Sequence, residues 1–315
     1  MPSSILSLSF WKAYGIQARP YLLFVSGAAG IVGLAFSALP LASILPAVLL
    51  FFLTYGLGQA LTDVFQTDTD KISSPYRPLS QGIITPRQVL WVSLVGLLGC
   101  AGILFRYSHW AFLFGLVGVV GLATYTPLKR KWWGGPIWNS WIVALLTFMA
   151  FLCGNDLAAA RNPRLWLILL SVFCSYAVFV ILGYFKDISA DRQTAYDTLP
   201  VHFGWRPSVF ASAFFGAISI GVGLILFRPY SLQWLHLYSL LWLAGAIMVI
   251  RAHVRMFRIS NEAEAHPAIA DSVRAFILLH LGEAVTLRPD LLFFSLAFYA
   301  IFEIVLYLRP EKSQI

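Results

Sequence analysis

The sequence predicts an all-α, polytopic membrane bundle of about nine transmembrane helices around a central cavity, and three observations carry that expectation. Hydrophobic residues make up 59% of the chain and charged residues only 11%, with a mean hydropathy of +0.77. No ordinary soluble domain has that composition. The apolar residues also come in runs of about twenty, the length of helix that crosses a bilayer. Lastly, Lys and Arg gather in alternate connections between the runs, as topology requires.

The spans fall at roughly 20–38, 43–65, 87–105, 109–127, 136–153, 164–185, 207–227, 232–251 and 290–308. They form one domain, residues 1–315, with two similar helical halves at roughly 20–127 and 136–251 and a ninth helix after them. Nine helices put the N-terminus and the connections after even-numbered helices on one side. Lys12, Arg19, Lys71, Arg77, Arg87, Lys129, Arg130, Lys131, Lys186, Arg192, Arg206, Arg251, Arg255, Arg258, Arg274 and Arg288 fall there. Arg106, Arg161, Arg164, Arg228, Arg309 and Lys312 fall opposite. The bias makes the first side cytoplasmic, in a multi-pass membrane protein that would sit in the inner membrane of a bacterium. The net charge of +8 is then a matter of topology, and nucleic acid is not needed to explain it.

The first 19 residues are too short and polar for a cleaved leader; Phe10, Trp11 and Lys12 read as an interfacial anchor. Arg19 and Pro20 open the first span, the arginine serving either as a snorkelling anchor or as a phosphate contact. The second span runs into a polar stretch from Gln59 to Lys71. On one continuous helix, Gln59, Asp63, Gln66 and Asp70 share a face. Asp63, Asp68 and Asp70 are three of fourteen acidic residues, and such clustering at the end of a span calls for a cation or polar substrate among them. Ser73 to Gly82 is turn chemistry.

Spans three and four carry almost no ionisable group and read as structural. The fourth ends in Tyr125, then Lys129, Arg130 and Lys131, which suit either lipid headgroups or an anion facing the acidic runs. The sixth delivers Lys186, Asp187, Asp191 and Arg192, the two carboxylates spaced i, i+4 so that a helix places them on one face for a hard divalent ion. The two acidic runs also form a weak internal repeat. Between the last two spans, Ala270 to Leu279 reads as a short surface helix. Cys100, Cys153 and Cys174 read as buried thiols, and the six histidines show no metal-ligand spacing.

Carboxylates at two helix ends, a basic cluster between them in sequence and an apolar bundle below suit a magnesium–diphosphate headgroup with its hydrocarbon tail among the helices. The motifs then become specific. Thr62 to Asp70 lines up with N-D-x-x-D-x-x-x-D, followed by Pro75-Tyr76-Arg77-Pro78 and Gly82. Tyr125 and Lys129 match Y-x-x-x-K. Asp187 and Asp191 match D-x-x-x-D, followed by Thr198-Leu199-Pro200-Val201-His202-Phe203-Gly204. In this order, over nearly its full length, the chain resembles the UbiA-type intramembrane prenyltransferases.

The resemblance implies Mg²⁺-dependent transfer of a prenyl group from a polyprenyl diphosphate to a lipophilic, aromatic acceptor, in isoprenoid or terpene biosynthesis. It implies metal binding by Asp63, Asp70, Asp187 and Asp191, catalysis by these with Lys129, and diphosphate contacts from Arg19, Gln59, Gln66, Asp68, Lys71, Arg77, Tyr125, Arg130, Lys186 and Arg192. Departures stand at Thr62 for the leading Asn, at Gln66 for the middle Asp, and at Gly183 and Tyr184 before the second motif. A shifted register would make Gln59 and Asp63 the ligand pair. A terpene cyclase of the same type is the alternative activity. A transporter using the carboxylates as an ion path is the alternative class, opposed by helix interiors nearly free of charge.

Overall fold

The structure, a computed structural model, describes residues 2–227 and 237–309. Fourteen α-helices and no strand occur among the described residues. In chain order they are α1 (Leu8–Gln17), α2 (Leu23–Leu34), α3 (Leu41–Asp63), α4 (Thr67–Ser73), α5 (Pro86–Leu104), α6 (His109–Lys129) and α7 (Gly134–Leu152). There follow α8 (Pro163–Tyr184), α9 (Ile188–Gln193), α10 (Leu199–Phe203), α11 (Trp205–Phe227), α12 (Leu237–Arg258), α13 (His266–Leu287) and α14 (Leu292–Leu308).

Among the described residues, eight helices are long and apolar enough to cross a membrane, and Pro20–Leu34 is a shorter apolar helix. The chain is therefore a multi-pass helical bundle. The starts are set locally: Thr85 and Gln88 form a reciprocal capping box at α5, while Ser108 and Asn162 cap α6 and α8. Each side chain takes up backbone N–H groups that the first turn cannot satisfy within the helix. Small residues let the rods approach closely. A Cβ on Gly33 of α2 would overlap the Thr147 carbonyl of α7, so glycine there sets the separation of the two helices.

The largest departure from the sequence reading is α13. Instead of a short surface helix over Ala270–Leu279, a helix of 22 residues runs through the middle of the bundle with nearly every side chain buried. Its hydropathy is low because it carries charges, but each buried charge has a partner. Asp271 pairs with Arg251 at 3.2 Å and Arg255 at 3.0 Å. His280 lies between Glu283 and Ser175, both at 2.7 Å, and Ser171 donates to Glu283 at 2.6 Å. Such pairing removes most of the cost of placing polar groups at membrane depth.

This extra rod reverses the sidedness of the chain beyond it. Arg288 donates to the carbonyls of Ser37 and Leu39, in the connection at the far end from Asp63, so it leaves the side assigned to it by nine spans. α14 runs back from there to pack against the Pro20–Leu22 segment, so Arg309, at its other end, leaves the side assigned to it as well. The placements given to Arg228 and Lys312 lie outside the described residues. All three cysteines are buried, as expected.

Topology is open to a direct test. Cysteines introduced at Lys71 and Arg192, both exposed, should react with an impermeant maleimide from one side of the membrane, and one at Leu157 only from the other. The buried native thiols give little background. Labelling of the first two from opposite sides would separate the two acidic runs and break any site shared between them.

Candidate active site

The first acidic run is not one helix. After Asp63 the chain leaves helical geometry, with Gln66 at φ −121° and ψ 18°, and α4 restarts at Thr67. The expected single face of Gln59, Asp63, Gln66 and Asp70 is therefore broken between the second and third residues. All four nonetheless line one cavity, because the break folds α4 back across the mouth.

Asp63 is 1% exposed and heavily engaged. It accepts from Gln17 at 2.5 Å, Gln59 at 2.7 Å and Arg19 at 2.9 Å, with Arg77 3.9 Å away. Arg77 itself reaches Asp70 at 2.5 Å. Burial works against the Arg77 charge, but Asp70 and Asp63 outweigh it and hold its proton more tightly than usual. Arg19 stands just before the short helix that Pro20 opens, and with its φ of 52° its side chain reaches Asp63.

The second run is likewise split. α8 ends at Tyr184, and Asp187 sits just before α9, whose Asp191 N–H donates to the Asp187 carbonyl at 2.8 Å. The two carboxylates therefore do not share the face of a long helix. Asp187 lines the mouth, while Asp191 is fully buried and accepts from Thr198 at 3.0 Å. Its other oxygen, Oδ1, has no hydrogen-bond partner. Burial pushes the Asp191 carboxyl up to about 7, opposed by Lys129. Burial also brings Lys186 down to about 8, opposed by Asp187. The short helices α4 and α9 meet through Thr69 and Thr194, 2.8 Å apart, which brings both acidic runs to one end of the bundle.

Between them stands Lys129, the last residue of α6. Its ammonium donates to Gln66 at 2.7 Å and lies over the rings of Tyr196 and Tyr184, at 5.2 and 5.8 Å. The mouth is an open cavity whose charged lining is Arg19, Asp63, Asp70, Arg77, Lys129, Lys186 and Asp187. Tyr125, Gln59 and Gln66 also line it. Other expected contacts stay outside: Asp68 pairs with Arg130 at 2.9 Å on the exposed rim, and Lys71 and Arg192 point outward.

Below the mouth lies a second cavity, lined by α3, α5, α6 and α7 with Tyr176 of α8. Leu97, Cys100, Leu104, Leu122, Leu146 and Met149 give it an apolar wall. Spans three and four are therefore not merely structural; as α5 and α6 they build this chamber. Tyr55, Gln59, Tyr125, Asn139 and Tyr176 line both cavities, so the two join at a ring of aromatic and amide groups. Tyr55 and Tyr176 bond to each other at 3.0 Å.

Gln17, Tyr55, Asn139 and Tyr176 are not among the residues that the sequence singles out. Asn139 carries a usable signal, an amide within an apolar span. Gln17 carries none, since its role depends on α1 packing against the end of α3.

The donor set fits Mg²⁺. Asp63, Asp70 and Asp187 present hard carboxylate oxygens at the mouth, and Asp191 adds a buried oxygen without a partner. No three acidic, His or Cys side chains cluster tightly enough to cage an ion among the described residues. Mg²⁺ needs no such cage, because it is commonly held by one or two carboxylates together with substrate phosphates.

Comparison with known proteins places the chain in a family. The model of the UbiA prenyltransferase family matches residues 22–280. A digeranylgeranylglyceryl phosphate synthase of Methanococcus vannielii is 26% identical over 76% of this chain and 88% of its own. That of Natronomonas pharaonis is 30% identical over 55% of this chain and 62% of its own. A UbiA homologue of Aeropyrum pernix superposes with a TM-score of 0.70 at 16% identity, covering 84% of this chain and 97% of that one. One from Archaeoglobus fulgidus, bound to DMAPP and Mg²⁺, gives 0.58 at 18% identity over 84% and 98%. The chain is a member of the UbiA prenyltransferase family.

Proposed function

We propose that the protein transfers a prenyl group from a prenyl diphosphate, bound with Mg²⁺ in the mouth, to a lipophilic acceptor. The observation that carries the reading is the junction: a mouth with four cationic and three acidic side chains opens through a tyrosine-lined neck into an apolar chamber. A molecule with an anionic head and a hydrocarbon tail matches both parts. The synthases of Methanococcus and Natronomonas support the donor class, and the Archaeoglobus homologue supports the metal.

Lys129, Arg77, Arg19 and Lys186 bind the diphosphate oxygens. Asp63, Asp70, Asp187 and Asp191 would hold Mg²⁺, which would supply positive charge to the departing oxygens. Because Asp63 and Asp70 share Arg77, an arriving phosphate finds that guanidinium already aimed into the mouth. The bond between C1 and oxygen breaks with its electron pair leaving on the diphosphate. The allylic cation then faces the rings of Tyr55, Tyr125 and Tyr176, beside the apolar wall of the chamber. The acceptor approaches from the side of Leu22, Phe179, Val180 and Ile269, which line the mouth opposite the chamber. It forms the new bond to C1 and gives up a proton to the released diphosphate.

The test incubates purified protein with geranyl, farnesyl and geranylgeranyl diphosphates, Mg²⁺ and a lipid extract, followed by mass spectrometry. A prenylated product supports transfer, and its mass separates an aromatic acceptor from a glyceryl phosphate. A terpene hydrocarbon or alcohol formed without acceptor would replace transfer by cyclisation. No diphosphate release from any donor would sink both.

A further inference from the structure

We infer that the depth of the apolar chamber measures prenyl length, with a floor where Gly115 of α6, Met149 of α7 and Ala101 of α5 converge, and that it admits a chain of four isoprene units and no more. The inference rests on the proposed donor and names its length class.

Gly115 and Met149 are the deepest chamber residues on their helices. A Cβ placed on Gly115 would lie 3.3 Å from the Met149 methyl and 3.4 Å from the Ala101 Cβ, so the three helices converge there too closely to take even an added methyl group comfortably. Leu104, 1% exposed, seals the same level from α5. The depth follows from helix geometry. Tyr125 at the neck and Gly115 at the floor lie ten residues apart on α6, about 15 Å at 1.5 Å per residue. Asn139 and Met149 give the same depth on α7. An isoprene unit adds four backbone carbons, about 5 Å when extended, from C–C bonds of about 1.5 Å. Three units then fill the chamber while the reacting unit lies across the neck.

Gly118 offers a handle one turn above the floor. It lines the chamber, and a Cβ there would meet only Leu145, at 3.7 Å. A larger side chain at that position fills the lower chamber without striking backbone.

The experiment measures kcat/KM for diphosphate release with prenyl donors of two to six units, in wild type, Gly118→Phe and Met149→Ala. In wild type the value should hold up to four units and fall by about tenfold or more beyond, since each excluded unit loses the burial of several CH₂ groups. Gly118→Phe should move the break down by one or two units, with the two-unit donor losing least. Met149→Ala should move it up. If five- and six-unit donors are used as well as four-unit ones in wild type, the floor does not measure length, although prenyl transfer itself stands. If no donor is consumed, the proposed function fails instead. A Gly118→Phe protein that loses all donors equally, the two-unit donor included, would also overturn the measure.

Discussion

Asp191→Asn should release diphosphate from the preferred donor about a hundred- to a thousandfold more slowly than wild type, with an unchanged thermal midpoint in detergent. The size is that of losing one charged group aimed at the transition state in a water-excluded site. The amide keeps an acceptor for Thr198, so the local fold has no reason to change. The substitution removes the charge of a fully buried oxygen with no protein partner, beneath a mouth lined by Lys129 and Asp187. Asp68→Asn makes the control, because Asp68 is spent on Arg130 at the exposed rim and should stay within about threefold of wild type, as exposed pairs contribute little. Turnover of Asp191→Asn near the wild-type rate would remove Asp191 from the site.

Much of this arrangement is legible because membrane helices leave a simple record. Runs of about twenty apolar residues mark the spans, and acidic clusters stand out in a chain with so few charges. The misreadings share one cause, which is that pairing in space is invisible along the chain. α13 reads as a surface helix because Asp271, Arg274, His280 and Glu283 lower its hydropathy. Their partners, Arg251 and Arg255 on α12, Glu303 on α14, and Ser171 and Ser175 on α8, come from other helices. The spacing of Asp187 and Asp191 correctly marks a helical turn but not the break at Tyr184 that turns one toward the mouth and buries the other. Likewise both Gln59 and Gln66 line the mouth, a result that one unbroken helix would also give, so periodicity could not reveal the restart at Thr67. Tyr55 and Tyr176 lie far apart in sequence within apolar runs, where a tyrosine is as readily core packing as part of a site.

Arg77→Met should destabilise the protein by about 3–5 kcal/mol, the usual result of removing one partner from a buried ion pair. Arg77 is 4% exposed and serves two carboxylates, at 2.5 Å from Asp70 and 3.9 Å from Asp63. Methionine fills much of the same space, so the loss is electrostatic rather than a cavity. Asp63 keeps Arg19, Gln17 and Gln59, whereas Asp70 loses its charged partner outright. The measurement is the thermal midpoint in detergent with and without Mg²⁺. If the carboxylates hold the ion, Mg²⁺ should raise the midpoint of Arg77→Met by more than that of wild type, because the cation takes over the charge that the guanidinium supplied and binding to the folded state stabilises it. Diphosphate release should stay severely reduced even at saturating Mg²⁺, since the metal does not replace a donor to phosphate. A midpoint equal to wild type would show that the Arg77 pairs contribute nothing to the fold. A fall that Mg²⁺ does not reverse would place the ion away from Asp63 and Asp70.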